Sequence, residues 1–258
     1  MPSPSPRSTP DRPPSNSPPS EEAVDLTGSI RAVDALTAED RAAMQSLMAD
    51  YFENVSAEQF RADLDEKEQV ILLRDAHDRI RGFSTMMRFV VPVDGREVVG
   101  IFSGDTIIDR ACWGTSLLPK LWAQLAFRWS DAASHDRVYW LLLSAGYKTY
   151  RFLPVFFDAF YPHCDTSTPP EQQRILDALA SARYPEAYDA EDGVVRFDHP
   201  TPLREDVAPP TERRQQNPHV AFFLEANPGH TEGDELVCLT RVVRSNLTRA
   251  GRRMVEVD

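Results

Sequence analysis

Cysteine is scarce: Cys112, Cys164 and Cys238 stand far apart among 258 residues, with no CxxC pair. That argues against a disulfide framework or a clustered zinc motif, and it fits a reducing cytoplasm. No apolar run approaches the ~20 residues a membrane-crossing helix needs. The N-terminus "MPSPSPRSTPDRPPSNSPPSEE" also lacks the apolar segment of a secretory leader, so a soluble chain with no cleaved signal and no membrane contact is expected. Cations are outnumbered, 28 Lys and Arg against 40 Asp and Glu for a net charge of −12. A general nucleic-acid surface needs clustered Lys and Arg, and "ERRQQ" and "RAGRR" are too short to supply one. The expected partner is a small molecule; oligomeric state is not encoded in these features.

Catalytic signatures are missing too. There is no GxSxG, P-loop, GxGxxG or HExxH, which removes the serine-hydrolase, nucleotide-triphosphatase, Rossmann and zincin readings. His77, His135, His163, His199, His219 and His230 show neither HxH nor HxxxH spacing, so no metal is expected. His163 adjoins Cys164 and Asp165, but neighbours in sequence seldom face each other, and a Cys–His pair needs spatial opposition.

What is present is ordered alternation. Residues 1–24 are dominated by Pro and Ser, with too little apolar matter to offset chain entropy, and read as a disordered arm. Residues 25–258 read as one domain. "SIRAV" is strand-like, and "TAEDRAAMQSLMADYF" has capping-box spacing at Thr37 and Asp40 with Met44, Leu47, Met48 and Tyr51 at helical period. "SAEQFRADLDEK" predicts a second helix from Ser56. "QVILLRD", "GFSTMMRFVVPV" and "REVVGIFSGDTIID" predict a meander whose last two strands join at Asp94-Gly95.

A long helix follows, "TSLLPKLWAQLAFRWSDAAS", starting near Thr115 or Ser116 because Pro119 is tolerated only in a first turn. "RVYWLLLS" then predicts a strand buried on both faces and parallel to the one before the helix. "GYKTYRFLPVFFDAFYPH" is aromatic and, with Pro154, unevenly helical. "TPPEQQRILDALASARY" predicts a helix with Thr168 as cap and Glu171 completing a capping box. "GVVRF" predicts a short strand, "TERRQQNPHVAFFLEANPG" a helix broken at Pro218 and ending near Gly229, and "DELVCLTRVV" a final strand.

This order, strand, two helices, three antiparallel strands, long helix, buried strand and aromatic helix, resembles the GCN5-related N-acetyltransferase superfamily over roughly residues 29–160. The resemblance implies an α+β fold, a mixed and mostly antiparallel sheet flanked by helices, with residues 162–230 as a C-terminal helical elaboration. It also implies transfer of an acyl group from an acyl-CoA co-substrate to a small amine or hydroxyl acceptor. The alternatives are a non-catalytic or repurposed binding module of the same fold, or a transferase using a carrier-protein or tRNA-bound donor.

In that superfamily a turn of pattern Arg/Gln-x-x-Gly-x-Gly/Ala, leading into the long helix, holds the CoA pyrophosphate on backbone amides. The equivalent here is "RACWGTS", giving Arg110, Ala111, Trp113, Gly114, Thr115 and Ser116 as candidate cofactor residues. One register sets Trp113 at the first Gly position and Thr115 at the second small position; the other sets Ala111 at the Arg position, Gly114 at the Gly position and Ser116 last. The competing reading is a plain helix cap with Trp113 in the core. By the same resemblance Tyr150 is the candidate acid for the leaving thiolate and Asp105 the candidate base or acceptor anchor, against core packing for Tyr150 and an ordinary turn-facing Asp for Asp105. Alternation sends Ser103, Asp105 and Ile107 to one face, and Phe102, Gly104 and Thr106 to the other. Cys112, inside the turn, is read as a small buried thiol, with a covalent acyl-enzyme as the lesser alternative.

Overall fold

The computed structural model describes residues 24–133, 136–207, 209 and 211–255. The expected arm, but for residue 24, lies outside the described residues, as does His135.

Strand β1 (Leu26–Ala32) leads to α1 (Ala38–Ala49) and α2 (Ala57–Asp65). The Thr37 hydroxyl accepts from the Asp40 amide while the Asp40 carboxylate accepts from the Thr37 amide, so the capping box forms with Asp in the Glu position. Ser56 caps α2. The meander is β2 (Gln69–Asp75), β3 (Ile80–Val93) and β4 (Arg96–Ile108). Its second hairpin turns on Asp94 and Gly95 at φ 53° and 72°, the positive pair of the primed turn that matches strand twist.

Helix α3 (Leu117–Ala132) crosses back to β5 (Val138–Ser144), which lies parallel to β4 as expected. Then come α4 (Tyr147–Tyr150), α5 (Phe152–Phe156), β6 (Phe160–Tyr161), α6 (Pro170–Arg183), β7 (Tyr188–Asp189), β8 (Val194–Val195), α7 (Glu212–Gln215), α8 (Pro218–Ala226), β9 (Glu235–Arg241) and α9 (Arg249–Val255). The sheet runs β1-β2-β3-β4-β5-β9-β8-β7, with β6 also on β9. All its pairings are antiparallel except β4–β5.

Alternation on β2 divides the core. Ile71 and Leu73 join α3, with α9 beside it, on one face. Val70 and Leu72 face α1 and α2 on the other, where α6 covers the sheet through Phe102, Tyr139, Leu141 and Leu239.

Two expectations need correction. Helix α6 begins one residue later than its sequence signals suggest: Pro169 is the N-cap and makes no side-chain cap bond, so Thr168 and Glu171 form no capping box. Strand β4 carries a bulge: Met86 pairs with Ser103 but Ser84 with Thr106, so three steps on β4 oppose two on β3. The extra residue resets the alternation. Ser103, Thr106 and Ile108 all reach the α3 side, where they line one cavity, whereas Ile107 packs under α1 and α2.

Candidate functional site

Strands β4 and β5 pair from Val99↔Val138 to Ser103↔Leu142 and then part, β4 running on to Ile108 while β5 turns into α4. Parted strands leave backbone and side-chain groups facing open space. A cavity of about 760 Å³ enters here, on the α3 side of the sheet.

Its mouth is polar. Gly114 (φ 93°) lets the chain double back into α3, and the Thr115 hydroxyl accepts from the Leu117 amide at 3.2 Å. The amides of Gly114, Ser116 and Leu118 have no acceptor among the described residues, as expected at an open helix start. Lys148, Arg151 and Arg214 complete the mouth, and none has a carboxylate partner among the described residues. Lys148 is held below the usual lysine range, first by partial burial and then by the Arg214 and Arg110 charges. In a chain of net charge −12, no Asp or Glu among the described residues lines this cavity.

Trp113 is 42% exposed rather than in the core. Its indole donates to the Ile108 carbonyl at 2.8 Å, and its ring carries the Lys148 ammonium 3.3 Å from the centroid and the Arg110 guanidinium at 5.5 Å. The bulky residue thus stands beside the turn and holds cations at the mouth. Arg110 itself pairs with Asp206 at 2.9 Å. It and Ala111 do not line the cavity, whereas Trp113, Gly114, Thr115 and Ser116 do. Cys112 is buried, and burial with the Asp109 charge pushes its thiol up, so it is no ready thiolate.

Inward the wall becomes apolar, with Leu118, Phe127, Phe152, Phe157 and Met254. At the parting point the Ser103 hydroxyl accepts from the Trp122 indole at 2.7 Å and the Trp140 indole at 3.1 Å. With both lone pairs engaged, the Ser103 hydroxyl is left to donate. The Ser84 and Thr106 hydroxyls bond each other at 2.7 Å nearby.

Tyr150 is fully buried. Its hydroxyl donates to the Pro162 carbonyl at 2.9 Å, its ring packs on Phe160 and Phe223, and it does not line the cavity. The structure therefore does not bring Tyr150 and Asp105 together at the cavity.

Asp105 lies within the bulge, between Ser103 and Thr106, beyond the parting point. Burial raises its carboxyl to about 6, against the pull of Lys67. Lys67 is buried, donates to the Asp63 carbonyl at 2.6 Å and is itself lowered by burial and by Arg183. Glu235, at the start of β9, is pushed up to about 8 by burial and by Asp105. Lys67, Glu235, Ser103, Lys148, Arg151 and Arg214 escape sequence reading, because only the sheet order and the α4–α8 packing give them neighbours. Another group assembled from afar is His163, Cys164 and His219, whose ligand atoms all lie within 4.8 Å of one another.

No family model and no curated protein matches the sequence. Among solved structures, similarity extends to a protein of unknown function from Enterococcus faecalis described as a probable N-acyltransferase, at 15% identity and TM-score 0.39, over 52% of this chain and 33% of that one. It extends to a GNAT family N-acetyltransferase from Escherichia coli in complex with CoA, at 18% and 0.31, over 47% and 64%. Glucosamine-6-phosphate N-acetyltransferase from Arabidopsis thaliana matches at 14% and 0.33, over 44% and 81%. The chain thus spans a third of the first of these and just under two thirds of the second. At these identities and TM-scores the likenesses carry no conclusion about activity. The element order from β1 to β5 on which the resemblance to the GCN5-related N-acetyltransferases rests, and the expected parallel β4–β5 pair, are present in the structure.

Proposed function

We propose that this chain transfers an acyl group from an acyl-CoA to a small amine or hydroxyl acceptor. The observation that carries this reading is the cavity: lined by no carboxylate among the described residues of an acidic chain, cationic at a helix start, apolar within and ending where two strands part. A polyanionic head on an uncharged arm matches that sequence of environments. The diphosphate would sit on the amides of Gly114, Ser116 and Leu118, with Lys148 and Arg214 supplying charge. The pantetheine arm would pass along the apolar wall and bring the thioester to Ser103, whose free O–H can donate to the acyl oxygen as it gains charge.

The acceptor would approach from the opposite face, where α6 and the Asp105, Lys67 and Glu235 group lie. Asp105 takes the acceptor proton as the new bond to the acyl carbon forms and the C–S bond breaks. A carboxylate raised to about 6 is suited to a base working near neutrality. The leaving thiolate is protonated by water from the mouth, since the Tyr150 hydroxyl is engaged elsewhere.

A second reading, a binding module of the same fold, is favoured by one observation: Lys148 lies across the Trp113 ring, at the very turn meant for phosphate. Thermal-shift titration with free CoA, acetyl-CoA and longer acyl-CoAs separates the two from a chain that has left CoA altogether. Ligand binding raises the melting temperature by mass action, and a flat response to all three overturns both readings. A shift without thiol release in the presence of amine acceptors selects the binding module.

A further inference from the structure

His163 and Cys164 follow β6 in the chain, and His219 stands in the first turn of α8. The fold folds the intervening segment back so that the Cys164 Sγ lies 3.3 Å from the His219 Nδ1. The His163 and His219 rings are 5.3 Å apart and nearly perpendicular, at 81°. All three ligand atoms fall within 4.8 Å of one another, and all three residues are partly buried, neither sealed nor spread on the surface.

Each donor is held by its own neighbours. The Asp165 amide donates to the His163 Nδ1 at 3.0 Å, which fixes the ring with its proton on Nε2; a metal would take the Nδ1 lone pair in place of that hydrogen bond. Asn217 caps α8 by accepting from the His219 amide at 3.1 Å, and Pro218 stiffens the first turn. The Tyr150 hydroxyl anchors the Pro162 carbonyl just before the pair.

We propose that His163, Cys164 and His219 form a mononuclear divalent-cation site, with zinc the ion its donors select. Two imidazoles and one thiolate are borderline-soft ligands that suit zinc and exclude magnesium or calcium. Tetrahedral zinc with sulfur at about 2.3 Å and nitrogen at about 2.0–2.1 Å sets a sulfur–nitrogen edge of about 3.5 Å, close to the 3.3 Å found. Binding exchanges the thiol proton for the metal, and the proton passes to solvent. Water fills the fourth position.

The alternative, a Cys–His nucleophile, would need access to the proposed acyl-CoA cavity, and Cys164 does not line it. The site also has a mechanical consequence. It joins the segment after β6 to α8, and α7, directly before α8, carries Arg214, which donates to the Tyr147 hydroxyl at the cavity mouth. Filling the site would fasten the mouth's cation in place.

The test uses the full chain, stripped of metal by chelator and then given equimolar zinc, with bound metal counted after gel filtration. One zinc per chain is expected, with a rise in melting temperature. Cobalt in place of zinc should give a thiolate-to-metal charge-transfer band, assignable to Cys164 because Cys112 and Cys238 are buried. Cys164→Ser should abolish the band, and His219→Ala should weaken zinc at least tenfold, while His199→Ala leaves both unchanged. Substoichiometric zinc, or a Cys164→Ser chain that binds like the parent, overturns the site. Should either variant fail to fold, the cobalt spectrum of the unaltered chain decides, and absence of the band counts against the proposal. None of these readouts involves CoA, so failure here is separate from failure of the acyltransferase reading.

Discussion

Ser103 shows how much one hydroxyl can organise. Two buried indoles donate to it, so Ser103→Ala strands two N–H groups, at about 1–3 kcal/mol each. Urea denaturation should show a loss of about 2 kcal/mol or more, and CoA-dependent turnover should fall as well. At the mouth, Lys148→Glu replaces an unpaired cation with an anion at the proposed diphosphate. CoA affinity should drop about tenfold or more, equivalent to about 1.4 kcal/mol, with the drop smaller at high salt because exposed charge is screened. An affinity within twofold of the parent would remove Lys148 from the site. Asp105 must be ionised to accept a proton, and its folded value is about 6. Turnover should therefore fall as pH drops through about 6 and level off above it; Asp105→Asn should abolish that limb along with most activity. Sequence reading found Asp105 but set it on one face with both Ser103 and Ile107, which the structure places on opposite faces, since a bulge leaves no mark on a pattern of alternating residues.

At the scale of elements, the cavity owes its far wall to α9, which the sequence offers only as a short basic run, "RAGRR". The helix is recognisable in three dimensions because Gly251 lets it approach α5: a Cβ there would meet the Phe156 carbonyl oxygen at 2.3 Å. Gly251→Ala has to push α9 outward. A stability loss of about 1–3 kcal/mol is expected, together with weaker binding of ligands whose apolar part reaches Met254 and Val255. Unchanged denaturation would mean that α9 does not close the cavity in solution. The meander, the α1 capping box and the parallel β5 were legible because each depends on residues close in sequence. The α6 capping box, expected but not formed, shows the limit of that reasoning: the cap falls on Pro169, one residue later, and a cap signal works only at its own position.

For the molecule as a whole, the sheet gathers like charges from remote strands. Asp105 on β4 and Glu235 on β9 are separated by β5 alone in the sheet order, and Glu235 is raised from 4.5 to about 8 in the folded state. The folded chain then holds a proton that the unfolded chain gives up from about pH 4.5. Stability contributed by this group is present at low pH and lost as pH rises toward about 8. Melting temperature should decline across that window, and Glu235→Gln should flatten the decline; an unchanged slope would place its cause elsewhere. Among the described residues no helix is long and apolar enough to cross a membrane. Cations without carboxylate partners among the described residues gather at one mouth despite the net charge of −12, so the overall charge described the surface and not the site.

Taken alone, the sequence determined the order of elements from β1 to β5, the hairpin at Asp94-Gly95, the start of α3 and the stretch from Trp113 to Ser116 as a helix entrance. All of these follow from periodicity, capping and turn chemistry, which act over a few residues. The tertiary structure decided the face that Asp105 occupies, the engagement of the Tyr150 hydroxyl by Pro162, the convergence of Lys148 with Arg214 and the meeting of His163, Cys164 and His219. Those contacts join residues up to tens of positions apart, and packing and loop closure, which bring them together, leave no local pattern to read.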